Sequence, residues 1–241
     1  MDSPNRESWL VVTDHDYTLH DGYADLLMIE DPEVSRVGLA GIVDGSIAWG
    51  DFIDGQLGEL YARDVRWPQV AQMLRKSPMH SGCLRALSDL KRRTGATMVS
   101  LSDGNQMFVR EMTEQAGHPE LFDHIVAQPT RLDPDGRLHV WMRSPPDRPH
   151  GCTNGCYRGM CKGSSLETTV DLSSFDRILY CGDGHNDFCT TVRLREQDLV
   201  LARQDFPLDR LLTERGHQVR CEARRWRTGD ELAALLDELA R

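Results

Sequence analysis

Two aspartates one residue apart, Asp14 and Asp16, close an apolar run in the stretch Val11–Leu19, VVTDHDYTL. Carboxylates at the end of a buried strand are costly to place there for structure alone. Three further polar positions follow apolar or glycine-rich runs. Ser102 follows Ala96–Leu101, Lys162 sits in MCKG, and Asp183 and Asp187 lie in GDGHND directly after Arg177–Cys181. Together these residue types suggest phosphoryl transfer. A carboxylate can attack phosphorus and form an acyl phosphate, which divides one hard hydrolysis into two easier steps. The charged phosphoryl group must be neutralised by a hard cation and by donors aimed at its oxygens. Carboxylates from two strands suit Mg²⁺, and Ser102 and Lys162 supply a hydroxyl donor and a point charge.

Each position alone has a plainer reading. Asp14 and Asp16 could form an Asx turn, Ser102 a helix N-cap, Asp183 and Asp187 a turn and a cap, and Lys162 a surface lysine. It is the ordered set that carries the argument.

The elements needed to bring these residues together can be read from periodicity. Trp9–Thr13, Ala96–Leu101, Phe122–Ala127, Arg177–Cys181 and Asp198–Ala202 read as strands, with a weak one at Gln218–Cys221. Leu84, Leu87 and Leu90 stripe a helix that ends at Lys91–Arg93 before Gly95. Phe108, Val109, Met112 and Ala116 stripe another. A polar helix is expected near 164–172, a proline-started one over Pro207–Gly216, and an amphipathic closing helix over Gly229–Arg241. Leu132–Trp141, centred on Asp135-Gly136, reads as a β-hairpin. Strands alternating with helices predict an α/β fold, a doubly wound and mostly parallel sheet. Such sheets place their chemistry outside the carboxyl ends of the strands. Residues 20–81 lack a strand signal but carry helical patches, among them an Asp31-Pro32 start and Ile53, Leu57, Leu60 and Tyr61. They are expected to form a small helical cap inserted after the first strand, with 1–19 and 82–241 as the core.

The chain has 241 residues, 27% of them charged, and a net charge of −10. That balance disfavours nonspecific binding to nucleic acid or anionic membranes, while leaving a small phosphate ester as a natural partner. It does not bear on oligomeric state. No apolar run approaches the ~20 residues of a membrane helix, and MDSPNRES lacks the layout of a secretory signal, so a cytoplasmic location is expected. Seven cysteines are then expected as reduced thiols. The alternative for part of them is a structural Zn²⁺ held by His150, Cys152, Cys156 and Cys161.

The set DHDYT, Ser102, Lys162 and GDGHND resembles the four-motif pattern of the haloacid dehalogenase superfamily. SDGNQMF, the CTNGCYRGMCKG loop, YCGDGHNDFC followed by FPLDRLL, and the late Trp226 resemble more narrowly the phosphoethanolamine/phosphocholine phosphatase family. The family also includes phosphatases acting on pyridoxal phosphate and thiamine monophosphate. The resemblance implies Asp14 as nucleophile and Asp16 as general acid and base. It implies Mg²⁺ held by Asp14, the carbonyl of Asp16, Asp183 and Asp187, with Ser102 and Lys162 on the phosphoryl group. It places Asp25 and Asp103 near a cationic head group, Asp103 also standing beside the phosphate. His15, which replaces a large apolar residue, is expected to point away from the site. Two other classes fit the same motifs: a phosphomutase or phosphotransferase on the same core, and a catalytically silent metabolite-binding protein.

Overall fold

The side chains of β1 (Trp9–Thr13) alternate between the two faces of a sheet, and every one of them is buried. Leu10 and Val12 join one apolar layer, and Trp9 and Val11 join the other. A strand covered on both faces must be central, and β1 is. The computed structural model, which describes residues 7–240, places it in a six-stranded sheet of order β3-β2-β1-β6-β7-β8. The other strands are β2 (Thr97–Asn105), β3 (His124–Gln128), β6 (Arg177–Gly182), β7 (Leu199–Arg203) and β8 (Glu222–Trp226), and every pairing is parallel. The order reverses between β1 and β6, so the crevice beyond their carboxyl ends is the topological switch point.

Before β2 come α1 (Pro32–Val43), α2 (Trp49–Ala62), α3 (Trp67–Leu74) and α4 (Ser81–Thr94). After it come α5 (Gln106–Gln115), α6 (Lys162–Glu167), α7 (Phe188–Thr191), α8 (Pro207–Arg215) and α9 (Gly229–Leu239). Leu84, Leu87 and Leu90 of α4, Phe108 and Met112 of α5, and Leu232 and Leu236 of α9 fill the layer under Val11. Leu166 of α6, Phe188 of α7 and Leu208 and Leu212 of α8 fill the opposite layer. The α/β expectation, helices on both faces of a parallel sheet, is what the chain forms. Helix α4 stops at Gly95, whose φ of 70° is left-handed and which donates its N–H to Lys91 O at 2.8 Å.

Residues 20–81 form α1–α3, preceded by a 3₁₀ turn at Ala24–Leu26. Asp31 caps α1 by accepting from Glu33 N, with Pro32 in the first turn, as the sequence predicts. Trp49, Ile53, Leu57, Leu60, Val70 and Leu74 pack into the same apolar layer as Trp9, Leu84 and Met98. The helices are also fastened to the hairpin β4 (Thr130–Leu132) and β5 (Leu138–Val140). Asp54 Oδ1 accepts from Arg137 Nη2 and Val140 N at 3.1 and 3.0 Å, and Tyr61 donates to Asp135 at 2.6 Å.

Three elements differ most from expectation. Strand β2 continues through Ser102 to Asn105, with an irregularity between Leu101 and Asn105 where its pairing with β3 shifts. The helix expected near 164–172 is α6, which starts at Lys162 and ends at Glu167. The last strand is β8 at Glu222–Trp226 rather than Gln218–Cys221. As an edge strand β8 carries Glu222 and Arg225 on exposed positions and Arg224 on a half-buried one, and those charges hide its strand character while blunting the edge. The closing helix reaches Leu239; its expected end at Arg241 lies outside the described residues.

Trp226, fully buried, anchors β8 by donating Nε1–H to Leu201 O at 3.2 Å beneath the Arg203 guanidinium. Replacing it with Ala should cost about 3–5 kcal/mol in urea unfolding, while Trp226→Phe, which keeps most of the ring, should cost markedly less.

Candidate active site

Asp14 follows β1 directly and extends its ladder, its N–H reaching Cys181 O at 2.8 Å. Its Oδ1 accepts from His15 N at 2.7 Å, and its Oδ2 meets Lys162 Nζ at 2.8 Å. Lys162 is fully buried at the start of α6, and its ammonium also meets Asp187 Oδ1 at 2.6 Å. Asp187 accepts from four donors in all: Oδ1 further accepts from Tyr180 Oη at 2.6 Å, and Oδ2 accepts from Asp183 N and Gly184 N at 2.8 and 2.7 Å. Asp183, just beyond β6, accepts from Thr18 Oγ1 at 3.0 Å, and its carbonyl accepts from Leu208 N. Four chain segments are thus drawn to one point around a single ammonium.

Asp16 lies on the pocket side of the same loop. Its Oδ1 accepts from Ala24 N at 3.0 Å and meets His20 Nε2 at 2.9 Å, while His20 Nδ1 meets Ser77 Oγ. Between Asp16 and His20 the chain turns at Tyr17, a non-glycine residue at φ 54° whose carbonyl accepts from Arg203 Nη1 at 2.6 Å. A left-handed tyrosine needs such an external hold. Ser102 is buried, and its Oγ accepts from Gly104 N at 3.1 Å. Asp103 accepts from Asn186 Nδ2 at 2.8 Å, which ties the end of β2 to the GDGHND turn.

The electrostatics follow from crowding. Burial and the charge of Asp187 push the carboxyls of Asp14 and Asp183 well above the usual range, against the pull of Lys162. Burial also raises Asp103. Burial works against the charge of Lys162, but Asp14, Asp187 and Asp103 outweigh it and hold the ammonium. Burial would raise Asp16 too, yet its hydrogen bond and attraction to His20 leave it lowered. Asp14, Asp183 and Asp187 can each offer an oxygen, all within 4.8 Å of one another. An excess of buried negative oxygen donors over nearby cations suits a hard divalent ion.

Above these groups opens a pocket of about 360 Å³. Asp14, Asp16, Asp103 and Asp183 form its floor, and Tyr17, Tyr23, Tyr157 and Phe206 form aromatic walls, with Asp205 and Arg210 also lining it. Tyr17 touches Tyr23 edge-on at 4.9 Å and Phe206 at 5.7 Å between ring centroids. From residues 20–81 the lining includes only Tyr23; the other walls are supplied by loops of the remaining chain.

Several expected residues are placed differently. Asp25 does not reach the pocket: it is buried, accepting from Trp49 Nε1 at 2.5 Å and from Asn105 Nδ2 at 2.6 Å. Each of its oxygens accepts a hydrogen bond that joins the start of α2 to the end of β2. His15 does point into the interior; burial, with His20 beside it, pushes its pKa down to about 3 and keeps it neutral. His150 is not grouped with the cysteines: its Nε2 meets Tyr157 O and its Nδ1 accepts from Cys152 N, both at 3.0 Å. Cys189, after the GDGHND turn, takes that fourth place beside Cys152, Cys156 and Cys161. Sequence reasoning did not single out His20, Thr18, Tyr180, Asn186 or the aromatic walls. Thr18, Tyr180, Asn186 and the rings of Tyr17, Tyr157 and Phe206 stand inside quoted motifs, but no shared period shows that the rings meet; His20 and Tyr23 stand outside those motifs.

Burial, then the charge of Asp16, push Asp25 up to about 8, against the two hydrogen bonds it accepts. The folded state therefore holds this proton when the unfolded chain has lost it, and stability drains away as pH rises from about 4 to about 8. Asp25→Asn removes that proton linkage. Thermal melts at pH 5 and pH 8 should show the variant losing less Tm over this interval than the parent; an equal loss would show that Asp25 does not titrate there.

Three comparisons bear on kinship. A thiamine phosphate phosphatase-like protein of Arabidopsis thaliana is 29% identical over 95% of this chain and 94% of its own. Inorganic pyrophosphatase 2 of the same plant is 25% identical over 95% of this chain and 83% of its own. A HAD family hydrolase of Salmonella enterica superposes with a TM-score of 0.59 at 13% identity, over 91% of this chain and 68% of the other, and so shares the fold. Residues 9–240 match the family described as "Putative Phosphatase", and the chain belongs to that phosphatase family, on the haloacid dehalogenase fold.

Proposed function

We propose that the protein is a Mg²⁺-dependent phosphatase that hydrolyses a small phosphomonoester through an aspartyl-phosphate on Asp14. The observation that carries this reading is the pinned carboxylate of Asp14. One oxygen is held by Lys162 and the other by a backbone amide, at the floor of an open pocket and beside a second carboxylate, Asp16. Pinning both oxygens fixes the direction of attack. In the first step an Asp14 oxygen bonds to phosphorus, the bond from phosphorus to the alcohol oxygen breaks, and protonated Asp16 gives its proton to the leaving alkoxide. In the second, Asp16 takes a proton from water, the water oxygen bonds to phosphorus, and the Asp14–phosphorus bond breaks to restore the carboxylate. His20 lowers Asp16; an anionic phosphoryl group arriving beside it pushes the other way and equips it to donate.

Asp14 and Asp183 would hold Mg²⁺, with the Asp16 carbonyl as the family resemblance implies. Asp187, whose oxygens already accept from four donors, would position Lys162 and the Asp183 backbone. Bound there, the ion supplies charge neutralisation for the phosphoryl oxygens. Ser102 and Lys162 supply the remaining contacts to that group. Residues 20–81 serve in this reading as a cap that contributes Tyr23 to the pocket and closes the side of the crevice. A reducing, cytoplasmic setting suits the seven free thiols.

The walls favour a class of alcohol. Four aromatic rings and a surplus of carboxylates, with Arg210 as the lining's lone Lys or Arg, fit a flat or cationic group. Relatives named for thiamine phosphate and for inorganic pyrophosphate set the alternatives. Pyrophosphate has no use for the rings.

Phosphate release should be measured with Mg²⁺ on thiamine monophosphate, pyridoxal phosphate, phosphocholine, phosphoethanolamine and pyrophosphate. The aromatic or cationic esters should lead in kcat/KM, and Asp14→Asn should lower turnover at least ~10³-fold on every substrate. Full activity in Asp14→Asn would reject the covalent mechanism. Phosphate transfer to an added alcohol or sugar instead of release would make the protein a phosphotransferase or mutase. Binding without turnover would make it a silent metabolite-binding protein.

A further inference from the structure

Next to the aspartate site, four sulfurs from two segments of chain converge. Cys152, Cys156, Cys161 and Cys189 each offer Sγ, all within 4.8 Å of one another. Cys152 and Cys161 lie 3.3 and 3.5 Å from Cys189, sulfur to sulfur. Thiolates arranged tetrahedrally at ~2.3 Å around zinc stand roughly 3.8 Å apart. Among the described residues Cys83, Cys181 and Cys221 belong to no such group of four, and Cys83 is buried with its thiol donating to Gly229 O.

The surroundings suit thiolates rather than thiols. Asn154 N and Ser164 N point at Cys152 and Cys161 at 3.4 and 3.5 Å. The Arg193 guanidinium donates to Cys189 Sγ at 3.0 Å. Such N–H donors orient and stabilise metal-bound sulfur, and a cation beside it offsets the −2 charge of a zinc tetrathiolate. The loop also lies close enough to be clamped. Gly155, at φ 88°, crosses the His185 carbonyl so tightly that a Cβ would come within 2.5 Å of that oxygen.

The geometry points to a structural Zn²⁺ bound by Cys152, Cys156, Cys161 and Cys189, clamping the 150–161 loop to the turn that carries Asp183 and Asp187. Binding releases four thiol protons to solvent and changes no oxidation state. Four sulfur ligands leave no open position, so the ion is structural. Its place gives it a purpose: Cys161 immediately precedes Lys162, and Cys189 follows Asp187 by two residues. The clamp therefore fixes both ends of the buried Lys162–Asp187 contact from outside the pocket.

The full chain, purified without added zinc or a metal-affinity step, should contain about one zinc per chain by atomic emission. A mercurial thiol reagent should release that zinc in step with the loss of four thiols. Cys156→Ser and Cys189→Ser should lose at least ~90% of the metal and melt at lower temperature, while Cys221→Ser should keep it. If the serine variants fail to fold, the metal content of the parent chain still decides. Folded parent protein holding under a tenth of an equivalent of zinc, holding iron instead, or showing a Cys152–Cys189 disulfide by mass spectrometry would overturn the site. Metal content is read without turnover, and Asp14→Asn should retain it, so this site and the phosphatase reading can fail separately.

Discussion

The contact on which the rest depends is the buried ammonium of Lys162 between Asp14 and Asp187, at 2.8 and 2.6 Å. An isolated charge at that depth is unaffordable, and removing one partner of a buried pair typically costs about 3–5 kcal/mol. The surrounding architecture can be understood as what it takes to keep this contact formed. The switch point between β1 and β6 sets Asp14 beside the Asp183–Asp187 turn. Four donors lock Asp187, so it holds Lys162 in one orientation. The start of α6 delivers the lysine after an excursion of more than thirty residues from β3. Lys162 reaches its place through a loop with little regular structure, and three of the four clustered cysteines lie on that loop for a physical reason: a long irregular segment has the most entropy to lose and the least hydrogen bonding to hold it.

A second constraint joins the helical segment to the core. Asp25 accepts from Trp49 at the start of α2 and from Asn105 at the end of β2. The shared apolar layer then runs from Ile53 and Leu57 through to Phe108 and Leu84. Fastened additionally to the β4–β5 hairpin, α2 is held from two sides. An insert so tied behaves as part of the wall. Its hydrogen-bonded seam passes within reach of Ser102 and Asp16 through Gly104, where an added Cβ would sit 3.2 Å from Ser102 Oγ and 3.3 Å from Asp25 Oδ2. The absence of a side chain at Gly104 is therefore part of what lets the two halves meet.

The fold was legible because its signals are local. Apolar strands, leucine stripes and the Gly95 stop each report on a few neighbouring residues, and the parallel sheet follows from their alternation. The residues that converge beyond β1 and β6, Asp14, Asp16, Lys162, Asp183 and Asp187, could be picked out for the same reason, each lying in a compact motif. What sequence could not carry was direction. Asp25 and Asp103 look alike as exposed-type carboxylates in loops, yet one is sealed between Trp49 and Asn105 and the other faces the pocket. His150 is nearer in sequence to Cys152 than Cys189 is, yet its two nitrogens are consumed by the loop itself. The β8 strand was displaced in the reading because arginines at an exposed edge obey solvent more than pleat.

Selectivity in this pocket has to come from groups that are not shared with the phosphoryl chemistry. In the proposed mechanism Asp14, Asp16, Asp183 and Lys162 would see only phosphate and the departing oxygen, whatever alcohol is attached. The alcohol would meet the rings that line the pocket, Tyr17, Tyr23, Tyr157 and Phe206, supplied by four separate places in the chain. A ring contributes area and a negative face at low entropic cost, but it accepts many flat or cationic partners about equally. Charge narrows the choice further. A cation entering among Asp103, Asp183 and Asp205 gains attraction that strengthens as water leaves, whereas an anionic tail meets repulsion everywhere except near Arg210. Such a pocket can therefore evolve new substrates by exchanging rings on loops 157 and 205–210 while the buried ammonium and its carboxylates stay untouched.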